Sequence, residues 1–221
     1  MIATELITDR VPSVKSTDLS GLALDWMSEF KVSQLPVVDG GKYIGLITEN
    51  DILDAADSAL HVGDLRYSGW ETAYVFADKH VYDVLDVLSE LKLDLVPVIG
   101  EEKEYLGVVT LRDLNDYIAR LFAIREPGGI LVIEVGARNY VLSEIGRIAE
   151  SADAKVLSLY LSQMPDSPTL ILTLKLNVED LTRVIASFER FNYTVLHAYQ
   201  RLNPDSDYSR NYEALLRYLN I

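Results

Sequence analysis

The sequence predicts an α+β protein in three units, and three observations carry that prediction. One phrase is written twice: Gly45 to Leu53 reads GLITENDIL, and Gly107 to Asn115 reads GVVTLRDLN. Pro36 in LPVV and Pro97 in LVPVI stand 61 residues apart, in step with the phrase. At REPGG, Arg125 to Gly129, the pattern breaks, and beyond it the order of apolar runs changes. The predicted layout is one repeat over 1–61, a second over 62–124 and a linker over 125–129. A β-α-β-β-α-β unit follows over 130–201, and a polar stretch with a closing helix over 202–221.

Each repeat reads strand, helix, strand, turn, strand, helix. In the first, Val14 marks a short strand, and Leu19, Leu22, Ala23, Trp26, Met27 and Phe30 recur at helical spacing. LPVV and YIGLIT flank Gly40-Gly41, a hairpin signal. The second repeat has its stripe at Val84, Val87, Leu88 and Leu91, its strands at LVPVI and YLGVVT, and a closing helix with Leu114, Tyr117, Ile118, Leu121 and Phe122 on one face. Thr48 and Thr110 stand 62 apart, so the second copy carries one extra residue, placed in the turn: EEKE against GGK. Neither repeat has core enough alone, so the two are expected to pack on each other.

After the linker, ILVIEV reads as a buried strand, followed by a helix with Leu142, Ile145, Ile148 and Ala149 inward. KVLSLYL and TLILTLKL are strands, the second alternating Leu170, Leu172, Leu174 and Leu176 with a more polar face. Asn177 and Asp180 are placed to cap a helix that turns Val178, Leu181, Val184, Ile185 and Phe188 inward, and YTVLHAY closes the unit. That is the ferredoxin-like order. Tyr208, Tyr212, Leu215 and Leu219 share one face of the expected tail helix.

Composition narrows the function. The 221 residues carry a formal net charge of -14, a field that repels phosphate backbones and anionic lipid, so neither nucleic acid nor membrane is an expected partner. There is no cysteine, and no apolar run approaches the roughly 18 residues that cross a bilayer. MIATELITDR lacks the regions of a signal peptide, and the expected location is cytoplasmic. His61, His80 and His197 have no partner at metal-ligand spacing, and G-x-S-x-G, the P-loop and a helix-leading G-x-G-x-x-G are all missing. No enzyme and no required cofactor are expected.

The twice-written phrase has two readings. Thr-x-x-Asp after a strand is a helix cap, with Thr48 and Thr110 on the first free N–H groups and Asp51 and Asp113 at the third helical position. The same geometry also suits a ligand, because helix N–H groups face a phosphate and a carboxylate accepts ribose hydroxyls.

The ordered set (apolar-Pro-apolar-Val strand, hairpin, Gly-apolar-apolar-Thr-x-x-Asp, helix), found twice, resembles a pair of CBS domains. The resemblance implies a regulatory module that binds adenosine-containing ligands in two clefts between the repeats. It implies that Asp51 and Asp113 hold ribose, with Thr48 and Thr110 near ribose or phosphate. The residue before each Asp, basic in phosphate-binding members, is Arg112 in the second copy and Asn50 in the first. Ahead of the strand prolines, where basic residues also occur in the family, stand Gln34 and Leu95; Lys15, ending the first strand, is a substitute cation. The implied effector is AMP, ADP, ATP, adenosine or S-adenosylmethionine, with or without magnesium.

The third unit is similar to an ACT domain in element order and in its YVLSEIGRIAES helix. Amino-acid-binding members turn from strand to helix through Pro-Gly, whereas this chain has GARNYV, with Asn139 and Tyr140 at the turn. The CBS-CBS-ACT layout is similar to that of acetoin-utilisation regulatory proteins. The leading expectation is a ligand sensor that signals to a partner protein. The alternatives are an amino-acid sensor through the ACT-like unit and a structural dimerisation protein with empty sites. A homodimer is expected, with Trp26, Met27, Tyr117 and Phe122 among its apolar contacts.

Overall fold

The computed structural model describes residues 1–55, 59–65, 72–136, 140–163 and 168–200. It divides into two compact units, Met1–Tyr117 and Ile118–Ile221. The expected tail helix lies outside the described residues.

In the first unit α1 (Ser20–Phe30), β1 (Gln34–Asp39), β2 (Lys42–Thr48) and α2 (Glu49–Ala55) form one repeat. β3 (Val75–Phe76), α3 (Val81–Leu91), β4 (Leu95–Ile99), β5 (Tyr105–Thr110) and α4 (Leu111–Leu121) form the other, α4 running on past the boundary of the unit. The hairpins match in detail. β1 and β2 pair antiparallel with Gln34 opposite Thr48, β4 and β5 with Leu95 opposite Thr110, and each has a bulge, at Val37/Val38 and at Val98/Ile99. Val14 bridges Val37 in parallel, as Val75 pairs with Val98. Between Asp39 and Lys42 the turn needs positive φ at both central residues, and Gly40 and Gly41 supply φ of 57° and 78°.

The repeats interlock. Residues leading into the first repeat pack on the second: the Thr8 amide donates to the Val108 carbonyl (2.9 Å) and the Ala3 amide to Lys79 (2.8 Å). Residues leading into the second pack on the first: the Val62 amide donates to Asp18 (2.8 Å) and the Gly63 amide to Ser16 (2.8 Å). A short 3-10 turn starts each lead-in, Ala3–Leu6 and Val62–Asp64. The hairpin tips also join, the Tyr43 amide donating to Lys103 (3.0 Å) and the Tyr105 amide to Gly41 (2.9 Å). One core results, containing Val14, Leu46 and Ile47 of the first repeat with Val75, Val96 and Val109 of the second.

One expected stripe shifts. α1 buries Ser20, Ala23 and Met27, while Leu19 and Leu22 stay exposed. Met27 belongs to this core, correcting its expected place on an outer face, while Trp26 and Tyr117 pack half-buried against it.

The second unit runs β6 (Ile130–Gly136), α5 (Leu142–Ser151), β7 (Val156–Gln163), β8 (Thr169–Leu176), α6 (Thr182–Arg190) and β9 (Thr194–Tyr199). Its sheet is ordered β7-β8-β6-β9, every neighbour antiparallel. Leu131, Ile133 and Val135 of β6 and Leu172, Leu174 and Leu176 of β8 alternate inward, onto Ile145 and Ile148 of α5 and Val184 and Phe188 of α6. Asp180 caps α6, its carboxylate accepting the Thr182 amide at 2.9 Å. Asn177 does not cap; its side-chain oxygen accepts the Lys155 amide at 2.7 Å. Leu142 is exposed rather than inward. Among the described residues no helix is long and apolar enough to cross a membrane.

Candidate functional site

Both Thr-Asp pairs form closed boxes at the entry to a helix. The Thr48 hydroxyl and amide donate to one Asp51 carboxylate oxygen, at 2.6 and 2.9 Å, and the Asp51 amide donates back to Thr48 Oγ1 at 3.2 Å. Thr110 and Asp113 repeat the arrangement at 2.5, 3.3 and 3.2 Å. Each box therefore uses the Oδ2 atom of its carboxylate. The Oδ1 atom of Asp113 lies 3.9 Å from the Arg10 guanidinium, whose side chain is 68% exposed, a pairing too open to contribute much stability.

Beside each box is a cleft. One, of about 420 Å³, is lined by Ser33, Gln34 and Thr48–Asp51 of the first repeat and by the C-terminal end of α3 with Lys92 and Leu93. The other, of about 560 Å³, is lined by Asp94 and Thr110–Arg112 of the second repeat and by the end of α1 with Lys31 and Val32. Each cleft thus sets the start of one repeat's closing helix against the end of the other repeat's first helix; Asp51 lines the first cleft, whereas the second is lined by Thr110 and not by Asp113. Lys31 and Lys92, and Thr48 and Thr110, exchange places between the two clefts when the repeats are exchanged.

Four lining residues acquire meaning only in three dimensions. Lys31 and Lys92 end α1 and α3 in the left-handed conformation, φ of 59° and 53°, where glycine is usual. Their cationic side chains also suit the negative helix end. Arg10, from the lead-in to the first repeat, lines the Thr110 cleft. Gln34, 3% exposed, lines the Thr48 cleft, and its Oε1 atom has no hydrogen-bond partner among the described residues. A buried acceptor without a donor costs about 1–3 kcal/mol, so such a group calls for an explanation. The opposite repeat has Leu95 at that position, fully buried. In the sequence Gln34 shows only as a missing cation ahead of Pro36.

The clefts differ in charge. Among the described residues, the Thr110 cleft is lined by Arg10, Lys31 and Arg112 against Glu29 and Asp94; the Thr48 cleft is lined by Lys92 against Glu49, Asp51 and Asp54. Lys15 is exposed, its amide held by Asp18 at 2.8 Å, and it lines neither cleft. The histidines do local work: His61 Nδ1 lies 2.8 Å from the Thr17 carbonyl, and His80 caps α3 by accepting the Tyr82 amide at 3.3 Å. The loop bearing on amino-acid binding lies partly outside the described residues; Tyr140 beyond it packs half-buried on the second core.

Two interlocked repeats sharing one core, with a cleft at each exchange of helix and box, define a paired small-domain module. Residues 3–58 and 70–120 match the CBS domain model, so the segment 3–120 is a tandem CBS domain pair. No family model matches the C-terminal unit. Among curated relatives, inosine-5'-monophosphate dehydrogenase of Methanocaldococcus jannaschii is 27% identical over 132 residues, 59% of this chain and 26% of the enzyme. The chain therefore spans about a quarter of that relative's length. Among solved structures, a CBS domain pair/ACT domain protein from Thermotoga maritima is 22% identical, covering 53% of this chain and 96% of that one with a TM-score of 0.48. A CBS domain pair solved in complex with 5'-methylthioadenosine and S-adenosyl-L-methionine is 22% identical, covering 54% of this chain and 96% of that one with a TM-score of 0.43.

Proposed function

We propose that the chain is a regulatory sensor whose CBS pair binds an adenosine-containing ligand in the two clefts and passes its state to a partner protein. The observation that carries this reading is the paired geometry: each cleft places the threonine of one box, and in the first cleft its aspartate too, beside a cationic helix end contributed by the other repeat. A ligand seated there touches both repeats, so its binding energy acts on their relative placement. The carboxylates are hydrogen-bond acceptors of the kind that ribose hydroxyls need. The C-terminal unit is the transmitting element in this reading, an ACT-like domain by its β-α-β-β-α-β order. In this reading the chain's own role is binding rather than catalysis. Two copies associate in the working form.

A thermal-shift panel of adenosine, AMP, ATP and S-adenosylmethionine against the common amino acids tests the proposal. A ligand at 100 times its dissociation constant stabilises by about 2.7 kcal/mol, a readable shift. Stabilisation by adenosine compounds supports the sensor. A response to amino acids alone moves the receptor to the C-terminal unit, and silence throughout leaves a structural protein.

A further inference from the structure

We propose that the Thr48 cleft takes an uncharged or cationic ligand that donates a hydrogen bond to Gln34, and that phosphate-bearing ligands are sorted to the Thr110 cleft. This rests on the adenosine reading, in which the donor is the purine amino group.

The argument starts from Gln34. Its side chain is buried, lines the cleft and has an acceptor without a donor among the described residues. Fold alone does not require it. The matching position is Leu95, which is fully buried at the same register opposite Thr110, so an apolar residue satisfies this place in the sheet. A group that weakens the empty protein and is replaceable by leucine is explained by a ligand that completes it. The charges around it agree. Glu49, Asp51 and Asp54 outnumber Lys92 on the lining, which disfavours an anion and favours an amino or sulfonium group. The other cleft has the opposite balance, with Arg10, Lys31 and Arg112 present. Guanidinium groups fork onto phosphate oxygens, and two of those three cations are arginines.

Three variants of the full chain separate the roles. Gln34→Leu copies the other repeat. Lys31→Gly removes a cation while relieving a left-handed backbone, so lost binding is not lost folding. Lys92→Gly is the matched control. Adenosine, AMP and inorganic tripolyphosphate are titrated by calorimetry, with the melting temperature of each empty protein. Gln34→Leu is expected to weaken adenosine about tenfold or more, the size of one buried hydrogen bond, and to leave tripolyphosphate unchanged while the empty protein melts no lower. Lys31→Gly is expected to weaken AMP and tripolyphosphate about tenfold with adenosine unchanged. A Gln34→Leu protein that melts lower and binds adenosine normally makes Gln34 a packing residue and overturns the proposal. So does a loss shared equally by all ligands in both variants, or a Lys92→Gly protein that behaves as Lys31→Gly. If tripolyphosphate binds and is lost in Lys31→Gly while no adenosine compound binds, the sorting of anions stands and the adenosine reading fails. No binding by any probe overturns both.

Discussion

Ser33 and Asp94 occupy the same position in the two repeats, and they are bonded to each other. The Ser33 amide and hydroxyl donate to one Asp94 carboxylate oxygen at 2.9 and 2.7 Å. Each residue also receives the first amide of its own repeat's closing helix, Glu49 onto the Ser33 carbonyl and Leu111 onto the Asp94 carbonyl, both at 2.9 Å. Ser33 lines one cleft and Asp94 the other. The contact therefore joins the two helix starts, and with them the two clefts.

Asp94→Ala is expected to lower stability by about 1–2 kcal/mol, because two bonds to a charged acceptor are lost at an exposed site. Ser33→Ala in that background should add almost nothing. A double-mutant cycle by urea unfolding measures the coupling, expected at about 1 kcal/mol. Additive effects would mean that the Ser33 hydroxyl contributes nothing, since Ser33→Ala leaves the amide bond to Asp94 in place.

Asp51→Ala and Asp113→Ala remove a cap as well as a candidate ribose acceptor. Each should lower stability by about 0.5–2 kcal/mol, since the Thr amide and hydroxyl both lose their acceptor. Each should also remove one binding site for an adenosine ligand while the fold persists. Calorimetric stoichiometry set beside melting curves tests both parts. Unchanged stoichiometry in both variants returns the carboxylates to capping alone.

The repeats were legible because local chemistry writes them: the strand proline, the glycine turn and the Thr-Asp box each act within a few residues. The interlocking was not. Ala3–Leu6 and Val62–Asp64 are short turns with little periodicity, and their packing partners lie in the opposite repeat. The same reason hid Lys31, Lys92 and Arg10, which reach a cleft only once the other repeat is in place. Gln34 was visible as a polar residue in an apolar strand, yet its missing partner is a property of the folded core. Met27 was misplaced because helical spacing names a stripe without saying which part of it faces inward.

Gly107 should resist substitution. Its φ is +140°, which side chains rarely adopt, and an added Cβ would collide with Ile7 Cγ2. That methyl belongs to a β-branched side chain with little freedom to turn aside. Gly107→Ala is expected to cost about 1–3 kcal/mol by denaturant unfolding. Adding Ile7→Ala should recover the collision but not the backbone strain. Full recovery would assign the whole cost to the collision.

A homodimer is expected in solution, since closed two-fold assembly is the commonest arrangement. With Met27 committed to the core, the available apolar surface includes Leu19, Leu22 and Leu53, each more than a third exposed. Light scattering should report twice the chain mass of 24.8 kDa. Leu53→Asp is expected to weaken association without lowering the stability of the monomer, and a monomer at micromolar concentration would remove the dimer from the proposed function.

Stability should fall in alkali because of two tyrosines at matching places in the hairpins. Tyr43 is raised well above its ordinary pKa of 10.0 by burial first, then by Tyr74 and Tyr105 nearby. Tyr105 is raised from the same value by burial and then by Asp9. The neutral phenol is the form the fold keeps, and the Tyr43 hydroxyl donates to the Ala73 carbonyl at 3.0 Å. Below pH of about 10 both folded and unfolded chains hold these protons, and the tyrosines make no pH-dependent difference. Above it the unfolded chain releases protons that the folded chain retains, so unfolding becomes favoured as pH rises toward the folded values. The slope is up to about 1.4 kcal/mol per pH unit for each tyrosine. Urea midpoints measured from about pH 8 to pH 11 should hold level and then drop. Tyr43→Phe should begin about 1 kcal/mol less stable, having lost a buried hydrogen bond, and then fall less steeply than wild type. If both proteins fall with the same slope, Tyr43 is not one of the groups that release protons on unfolding.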